Sequence, residues 1–539
     1  MPESVFSPFK YRVFSVLWLA TLISNIGTWM FNVTSGWMMT ALSPSPLMVA
    51  LVQAATALPI FLFALPAGVL GDLFNRRKLL FWTQIFLAAV LFILTALLWM
   101  GITSPWLLLA FTFSIGVGTA FASPAWQAIV PRLVPRGELA SAIVWNGVSM
   151  NIARAIGPAL GGFVLAAAGA MATVFIDALS YLAVAAALLW WRTTTMQADN
   201  LPREHLSGAL RAGIRFALHS KPLRYTLIRA LAFFFCASAY WALLPIVAKE
   251  TLQGGPDLYG VLLTALGLGA VAGAFLLPQL RKRYSANTNL ILATLGTTFC
   301  LIMFALGQHM ASGILAGFIG GVSWIVAVST LNYSAQVALP DWVRARGLAI
   351  FQMAVFGAMA GGSLGWGQVA IVSNLPTSLI ASGLLALVLI AITHRFVLNL
   401  GEHHDHTPSG HWAEPVPVTA AAHDSGPVLV TLEYRIADKD RDEFFTLIRE
   451  LGTIRRRDGA IQWGYFEDIE QHGRFIEMFM VESWIDHLRQ HARVSAADKM
   501  LQDKIFALHQ GTTHPIVTHA VTPQSKSHPD AIPKTHHDL

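Results

Sequence analysis

The chain has 539 residues, of which 55% are hydrophobic and only 12% are charged, with a formal net charge of +6. So large an apolar fraction excludes an ordinary soluble globular protein and indicates a polytopic membrane protein. The positive charge is concentrated in short connections between apolar segments, so membrane orientation accounts for it and we expect no nucleic-acid partner.

Apolar segments long enough to cross a bilayer as helices recur along the chain. They lie near 14–36, 47–70, 79–100, 105–128, 141–166, 171–191, 225–248, 258–279, 287–308, 311–335, 347–371 and 376–397. A short basic start with Lys10 and Arg12 leads directly into the first segment, which is long and has no small-residue cleavage site, so we expect it to be retained. We predict an all-α polytopic membrane protein with twelve transmembrane helices in two six-helix halves, 1–191 and 225–398, joined by a cytoplasmic loop at 192–224.

The connections between these segments alternate in charge. Every connection of one set carries Lys or Arg, whereas Lys249 is the only Lys or Arg in the other set. By the positive-inside rule, the basic set and both termini lie in the cytoplasm, which predicts a multi-pass protein of the cell (inner) membrane. The run Gln127-Ala-Ile-Val-Pro131 recurs as Gln336-Val-Ala-Leu-Pro340, and repeated halves around a central cavity are typical of transporters.

Two ionisable residues lie inside apolar segments. Arg154 is near the middle of the fifth segment, where a guanidinium is costly unless it faces water or a partner, and Asp177 lies in the sixth. We predict that this pair couples proton movement to the opening of a polar cavity. A permanent ion pair, or an acid that only reaches headgroup water, is the alternative.

A polar stripe runs along the first segment. Asn25, Trp29 and Asn32 are spaced i, i+4 and i+7, so they share one helix face. Such side chains suit a cavity that holds an amphipathic small molecule, and they could equally bond to neighbouring helices. The same reasoning adds four residues to the predicted substrate-binding set: Gln53, Tyr240, Asn332 and Gln352.

Two motifs carry a family resemblance. One is Gly68-Val-Leu-Gly-Asp72-Leu-Phe-Asn-Arg76-Arg77, and the other is Gly157-Pro158-Ala-Leu-Gly161-Gly162. The first resembles the signature loop of the major facilitator superfamily, although Leu73 and Asn75 replace the usual Arg and Gly. The second resembles the motif of its drug and metabolite antiporters, with Ala153 in place of one glycine. Over 5–400 the chain looks most like the enterobactin-exporter and macrolide-efflux branch, the transmembrane secretion effectors.

The resemblance implies a secondary active efflux transporter that exports a siderophore, drug or secondary metabolite, by antiport with protons. Protons, the amphipathic cargo and membrane lipid are then its partners, and we expect no cofactor and no metal. The residues assigned to gating are Gly68, Asp72, Arg76, Arg77, Gly157, Pro158, Gly161 and Gly162. On the residues alone, these motifs could be a basic turn and a site of close helix packing. Uptake by the same fold is an alternative.

The character of the chain changes after Leu398. Residues 399–425 form a linker rich in histidine, for which we expect no fixed metal geometry. Residues 426–521 predict a small ferredoxin-like α+β domain, and 522–539 a disordered tail. The predicted elements are strands at 427–436, 460–467, 474–482 and 515–521, and helices at 438–457 and through 484–510.

The run that begins Glu482-Ser-Trp484 and contains His487 and His491 resembles the antibiotic-biosynthesis-monooxygenase-like fold, a dimeric α+β barrel. The resemblance implies dimerisation through this domain. The two histidines share a helix face, so they could transfer protons around an aromatic substrate or only pack against Trp484. A membrane-anchored enzyme or binding protein that uses this domain is the alternative to a transporter.

Overall fold

The structure is a computed structural model that describes residues 6–73, 75–130, 133–191, 206–340, 342–398, 409, 426–510 and 514–522. Most of the predicted linker, the predicted tail beyond 522 and part of the connecting loop lie outside this description. The chain divides into two compact units. The helical unit comprises residues up to 210, 222–338 and 344–400, and the C-terminal unit comprises 211–221, 339–343 and 401–539.

The residues described up to 398 include eleven helices that are long and apolar enough to cross a membrane. In chain order, with a shorter helix α6 among them, the helices are α1 (Arg12–Leu42), α2 (Pro46–Leu73), α3 (Arg76–Trp99), α4 (Pro105–Ile129), α5 (Leu139–Trp190), α6 (Leu206–His219), α7 (Lys221–Ile246), α8 (Pro256–Arg283), α9 (Ala286–Leu306), α10 (Met310–Val337), α11 (Arg344–Val372) and α12 (Leu375–Thr393).

Helix α5 explains why the structure has eleven such helices where the sequence predicts twelve. It contains 52 residues, so it is about 78 Å long, against a hydrocarbon core of about 30 Å. Gly169 interrupts it with φ +79° and ψ 176°, a conformation that is open to glycine and strained for other residues. The predicted segments 141–166 and 171–191 therefore correspond to the two helical arms of α5, one on each side of the kink at Gly169.

Several helices begin at a residue that caps them. Ser104, Asn75, Ser285 and Asn374 each accept a hydrogen bond from a backbone N–H of the first turn of the following helix. These N–H groups have no partner within the helix, so a short polar side chain stabilises its start. The polar residues at the ends of the apolar segments thus determine where these helices begin.

The two halves of the helical unit make their most extensive contacts through two helix pairs. Helix α2 packs against α11, and α5 packs against α8. Within the first half, α1 packs along α5. Helix α5 consequently contacts both its own half and the second one.

The C-terminal unit contains a four-stranded antiparallel sheet. Its strands are β1 (Val428–Arg435), β2 (Gln462–Glu467), β3 (Arg474–Val481) and β4 (Ile516–Val521), and its helices are α13 (Arg441–Asp458), α14 (Trp484–Arg493) and α15 (Ala496–Ala507). The strand order is β2-β3-β1-β4, which together with the helix positions is the ferredoxin-like arrangement. Every second residue of β1 and β3 is buried, as expected for strands with one face on a core.

A buried ionic group lies inside this core. Glu477 is 0% exposed and accepts hydrogen bonds from Arg455 Nε at 3.1 Å, Trp463 Nε1 at 3.0 Å and the Tyr434 hydroxyl at 2.9 Å. Because both carboxylate oxygens are bonded and the charge is paired, the burial of Glu477 is tolerated.

Candidate functional site

The first half of the helical unit encloses a cavity of about 600 Å³. This volume lies within the range of sites that hold a small organic molecule. Helices α1, α3, α4 and α5 supply its walls. The polar and aromatic side chains among its lining residues are Thr21, Ser24, Asn25, Thr28, Trp29, Gln84, Thr119, Ser123, Trp126, Gln127, Asn146 and Tyr181.

The cavity lies in the part of the bundle nearest the basic connections. Helices α1 and α3 begin at Arg12 and Arg76. Their lining residues Thr21 and Gln84 lie within about three turns of those ends. Helix α4 lines the cavity along its last turns, up to Val130, where the chain enters another basic connection. The cavity is therefore formed on the side where Lys and Arg are concentrated.

Small residues bring α5 against two neighbours at the opposite side. A Cβ on Gly157 would lie 2.6 Å from Trp29 Cβ, and one on Gly161 would lie 2.8 Å from Met30 Cα, both on α1. A Cβ on Gly162 would lie 2.7 Å from the Pro256 carbonyl oxygen of α8. All three distances are shorter than real Cβ contacts. The backbones of α1, α5 and α8 are thus packed as closely as glycine permits.

Further contacts between the two halves close the bundle at the side of the uncharged connections. Trp37 of α1 stacks on Tyr259 of α8 with ring centroids 6.4 Å apart. Lys249, just after α7, donates a hydrogen bond from Nζ to the Thr40 carbonyl oxygen. Pro158 contributes its carbonyl oxygen, which lies 2.7 Å from where a Cβ on Gly260 would be. The bundle is closed at the side of the uncharged connections and hollow near the basic ones.

Two of the seven predicted substrate-binding residues, Asn25 and Trp29, line the cavity. Asn32 lies about one turn further along α1 and outside the lining. Four others are also outside it: Gln53, Tyr240, Asn332 and Gln352. Asn332 accepts a hydrogen bond from Gln336 Nε2 at 2.8 Å, and Gln352 is exposed.

Sequence reasoning missed lining residues that carried the same signal as Asn25. Thr21, Asn25 and Thr28 are spaced i, i+4 and i+7, which places the cavity stripe closer to the basic end of α1 than predicted. Gln84 and Asn146 are amides within apolar segments and could have been found by the same rule. Trp126 carried no such signal, because only the folded chain lets its Nε1 donate to Asn146 Oδ1, at 2.9 Å.

Arg154 lies among aromatic rings where the halves meet. Its guanidinium carbon is 5.9 Å from the centre of the Trp29 ring, a cation–π arrangement. Trp29 in turn lies 6.3 Å from Trp241 of α7, which lies 5.3 Å from Trp324 of α10. The charge therefore faces rings from both halves.

Asp177 lies on the second arm of α5 and is 0% exposed. The Ser180 hydroxyl lies 3.2 Å from its Oδ1, and its Oδ2 has no hydrogen-bond partner among the residues that the structure describes. A Cβ on Gly27 of α1 would lie 2.5 Å from Asp177 Oδ1. Within the described part of the chain, Asp177 forms no ion pair with Arg154.

Three consecutive residues of α1 connect these groups. Gly27 touches Asp177, and the Thr28 hydroxyl lies 2.9 Å from the Tyr181 hydroxyl. Trp29 contacts Arg154. Because Thr28 and Trp29 also line the cavity, this short stretch of α1 joins the buried Asp177, the partly buried Arg154 and the cavity wall.

The signature-loop residues lie where α2 ends and α3 begins. Arg77 donates from Nε to the Leu188 carbonyl oxygen at 2.8 Å and from Nη2 to Leu189 at 3.2 Å, so it binds the carbonyl end of α5. Arg76 is the first residue of α3, and a Cβ on Gly68 would meet open space. The side chain of Asp72 lies outside the described residues.

In the C-terminal unit, Trp484, His487 and His491 all lie on α14. The rings of Trp484 and His487 are 5.5 Å apart, and Nε2 of His487 lies 3.2 Å from Nε2 of His491. Burial, together with the neighbouring His491 and His519, lowers the pKa of His487 to about 3. His487 is thus neutral at neutral pH.

Comparison with known proteins shows one family. The model of the transmembrane secretion effector family matches residues 3–527. A staphyloferrin A transporter of Staphylococcus aureus is 25% identical over 260 residues, which cover 48% of this chain and 64%, less than two thirds, of that transporter. The enterobactin exporter EntS of Escherichia coli is 27% identical over 405 residues, which cover 71% of this chain and 93% of the exporter.

Solved structures share the helical architecture. A crystal structure of a POT family transporter in complex with a thioalcohol-conjugated peptide superimposes with a TM-score of 0.59 at 14% identity. The match covers 71% of this chain and 96% of that transporter. At so low an identity the likeness shows the fold alone.

Proposed function

Because the chain belongs to the transmembrane secretion effector family, and is thus a multi-pass membrane transporter of the major facilitator superfamily, we propose that it exports a siderophore or a related amphipathic metabolite by proton antiport. The cavity of about 600 Å³ with a wall of amides, hydroxyls and indoles is the observation that carries this proposal. Two relatives named for siderophore transport and export support the choice of cargo.

Orientation follows from charge. If the basic connections are cytoplasmic, the cavity is reached from the cytoplasm and the closed side faces outward, which is the state in which an exporter takes up cargo. The two arms of α5 then cross the membrane separately. That gives twelve crossings and puts both termini in the cytoplasm.

Cargo binding would use both kinds of wall residue. Flat or aromatic parts of a cargo would stack on Trp29 and Trp126, which contributes about 0.5–1.5 kcal/mol per ring pair beyond area burial. Its oxygens and hydroxyls would bond to Asn25, Gln84 and Asn146. Gln84 Oε1 is buried and has no hydrogen-bond partner among the described residues, so a cargo donor that reaches it would supply the missing hydrogen bond.

Proton coupling would use Asp177. A fully buried carboxylate with one unpaired oxygen is tolerated when neutral and costly when ionised without a partner. Loss of its proton would therefore draw water or the Arg154 guanidinium towards it. Since Gly27 lies directly against Asp177 and Trp29 against Arg154, either event would displace α1 and the cavity wall.

A binding measurement tests the cargo assignment. Iron-free catechol-type and hydroxycarboxylate-type siderophores are titrated into the purified full chain while tryptophan fluorescence is recorded. We expect one type of siderophore to quench the tryptophan fluorescence of the wild type saturably. Binding should be weaker in Trp126→Phe and unchanged in Trp82→Phe, because Trp82 is exposed and lies outside the cavity. Equal binding in all three proteins would contradict the assignment of the cavity.

For the C-terminal unit we propose the antibiotic-biosynthesis-monooxygenase-like fold with a dimerising or regulatory role. Ile516 and Val517 on the edge strand β4 are 62% and 46% exposed, an apolar surface that a second copy would cover. Size-exclusion chromatography with light scattering compares the full chain with Ile516→Lys. A lower mass for the variant is expected, and equal masses would contradict dimerisation through this edge.

A further inference from the structure

We propose that the C-terminal unit holds a divalent transition-metal ion, with Zn²⁺ the best fit, at His487, His491 and His519. Each of the three side chains offers one ring nitrogen, and these nitrogens all lie within 4.8 Å of one another. Two come from α14, and the third comes from β4. The inference differs from the sequence expectation of no metal, and it does not depend on the proposed export.

The geometry is close to that of a zinc centre. At Zn–N distances of about 2.0–2.1 Å, two nitrogens of a tetrahedral site lie about 3.4 Å apart. The Nε2 atoms of His487 and His491, which are one helical turn apart, are separated by 3.2 Å. The His519 ring centre lies 4.8 Å from that of His487. Because His519 is exposed, a change in its side-chain torsion angles can bring its ring nitrogen closer without moving the core.

The surroundings of His487 also suit a metal ligand. His487 is 1% exposed, and its Nδ1 has no hydrogen-bond partner among the described residues. The Gln490 side chain lies beside the His487 ring. Its carbonyl oxygen can therefore orient the ring through Nδ1–H, as metal-binding histidines require.

A cation that disfavours positive charge at His487 has an acidic partner of its own. Arg455 is the cation that acts on His487, and its charge is balanced by Glu477 at 3.1 Å. A hydrogen bond between His487 and His491 would account for their 3.2 Å separation but not for the arrival of His519 at the same point. Three protein nitrogens leave the fourth position of a tetrahedral ion to water or another ligand.

The test uses the full chain purified in detergent and stripped with a chelator. Co²⁺ serves as the spectroscopic probe, and Zn²⁺ competes with it. His403, His404, His406 and His411 are first replaced by Gln, because a histidine-rich linker also binds metal. We expect that variant to take up one Co²⁺ per chain with the strong visible absorption of tetrahedral coordination, and to lose the absorption when Zn²⁺ is added.

In that background His519→Gln and His491→Gln are each expected to weaken Co²⁺ binding at least tenfold, since even the loss of a residue that only orients a ligand costs about 10–100-fold. His472→Gln is the matched control, because His472 is an exposed histidine of the same unit outside the cluster. Near-ultraviolet circular dichroism verifies that the variants are folded. Binding that disappears with the linker histidines, or that survives both ligand substitutions, would overturn the proposal.

Discussion

Individual amides in the cavity wall carry much of the proposed specificity. Gln84 lies in an otherwise apolar stretch of α3, is 6% exposed and has an unpaired Oε1. A hydrogen bond from cargo to such a group contributes about 0.5–1.5 kcal/mol. The contribution of each polar wall residue to the free energy of cargo binding is therefore measurable.

The substitution Gln84→Leu is expected to raise the KM for cargo by up to about tenfold, because the lost hydrogen bond contributes up to about 1.4 kcal/mol. Transport into inverted vesicles measures it. Gln352→Leu is the control, since Gln352 is an exposed amide outside the cavity. If the two variants have equal KM values, Gln84 does not contact cargo.

The close approach of α5 and α8 at Gly162 is predicted to be necessary for transport. Its substitution by Ala would place a Cβ 2.7 Å from the Pro256 oxygen and 3.0 Å from Gly260 Cα, so α5 and α8 would have to separate. We expect transport to fall about tenfold, which corresponds to about 1.4 kcal/mol. Gly147→Ala on the same helix meets open space and should transport normally. Equal transport by Gly162→Ala and Gly147→Ala would show that the close packing at Gly162 is not needed.

His487 makes the C-terminal unit sensitive to acid. Its pKa is about 3 in the folded chain, with His491, His519 and Arg455 facing it, against 6.5 when unfolded. Below pH 6.5 the unfolded state binds a proton that the folded state does not. The free energy of unfolding of the metal-free unit therefore falls by up to about 1.4 kcal/mol per pH unit between pH 6.5 and 3.

Thermal unfolding of the full chain at pH 7.5 and 5 measures this effect. The transition of the C-terminal unit is identified by its absence from a chain that ends at Leu398. His487→Gln should reduce the difference between the two pH values, and His472→Gln should not. A difference that is equal in all three proteins would assign the acid sensitivity to other groups.

At the scale of elements, α5 combines the features on which the account depends. It carries Arg154, the close contacts of the Gly157–Gly162 motif, the break at Gly169 and Asp177 on its second arm. Its two arms would move separately only if the break is a preferred conformation of the chain. Separate movement of the two arms therefore requires that Gly169 keep this conformation.

Replacing Gly169 by Ala is expected to destabilise the helical unit by about 1–3 kcal/mol, because φ +79° with ψ 176° lies in a region open almost only to glycine. Thermal unfolding in detergent measures the change. Gly361→Ala is the control, since Gly361 is helical and a Cβ there meets nothing within 4 Å. It should be neutral or stabilising. Equal stabilities would show that the break at Gly169 is not required.

Sequence patterns predicted much of this architecture and less of the site. Apolar length predicted the helices and both arms of α5, but no pattern showed how the chain turns at Gly169, because glycine is permitted inside helices as well as at breaks. A helical face could be predicted for Asn25 and Trp29. Which turn of that face meets the cavity depends on neighbouring helices, so Asn32 was included and Thr28 was missed. The approach of His519 to His487 depends on tertiary folding and left no signal in the sequence.

For the molecule as a whole, export requires that an inner cavity and a closed outer side exchange while a proton moves. The glycine contacts between α5 and α8 and the stacking of Trp37 on Tyr259 must then separate. The stretch Gly27–Trp29 of α1 lies between Asp177, Arg154 and the cavity wall. This position is what would make the exchange depend on protonation.

Uptake of an iron-free siderophore into inverted membrane vesicles, with and without an acid interior, tests the proposed proton-coupled export most directly. The account predicts accumulation that the proton gradient accelerates in the wild type, and that Asp177→Asn still binds cargo while losing the acceleration. Accumulation that ignores the gradient in both proteins, or no transport of any siderophore type, would contradict it.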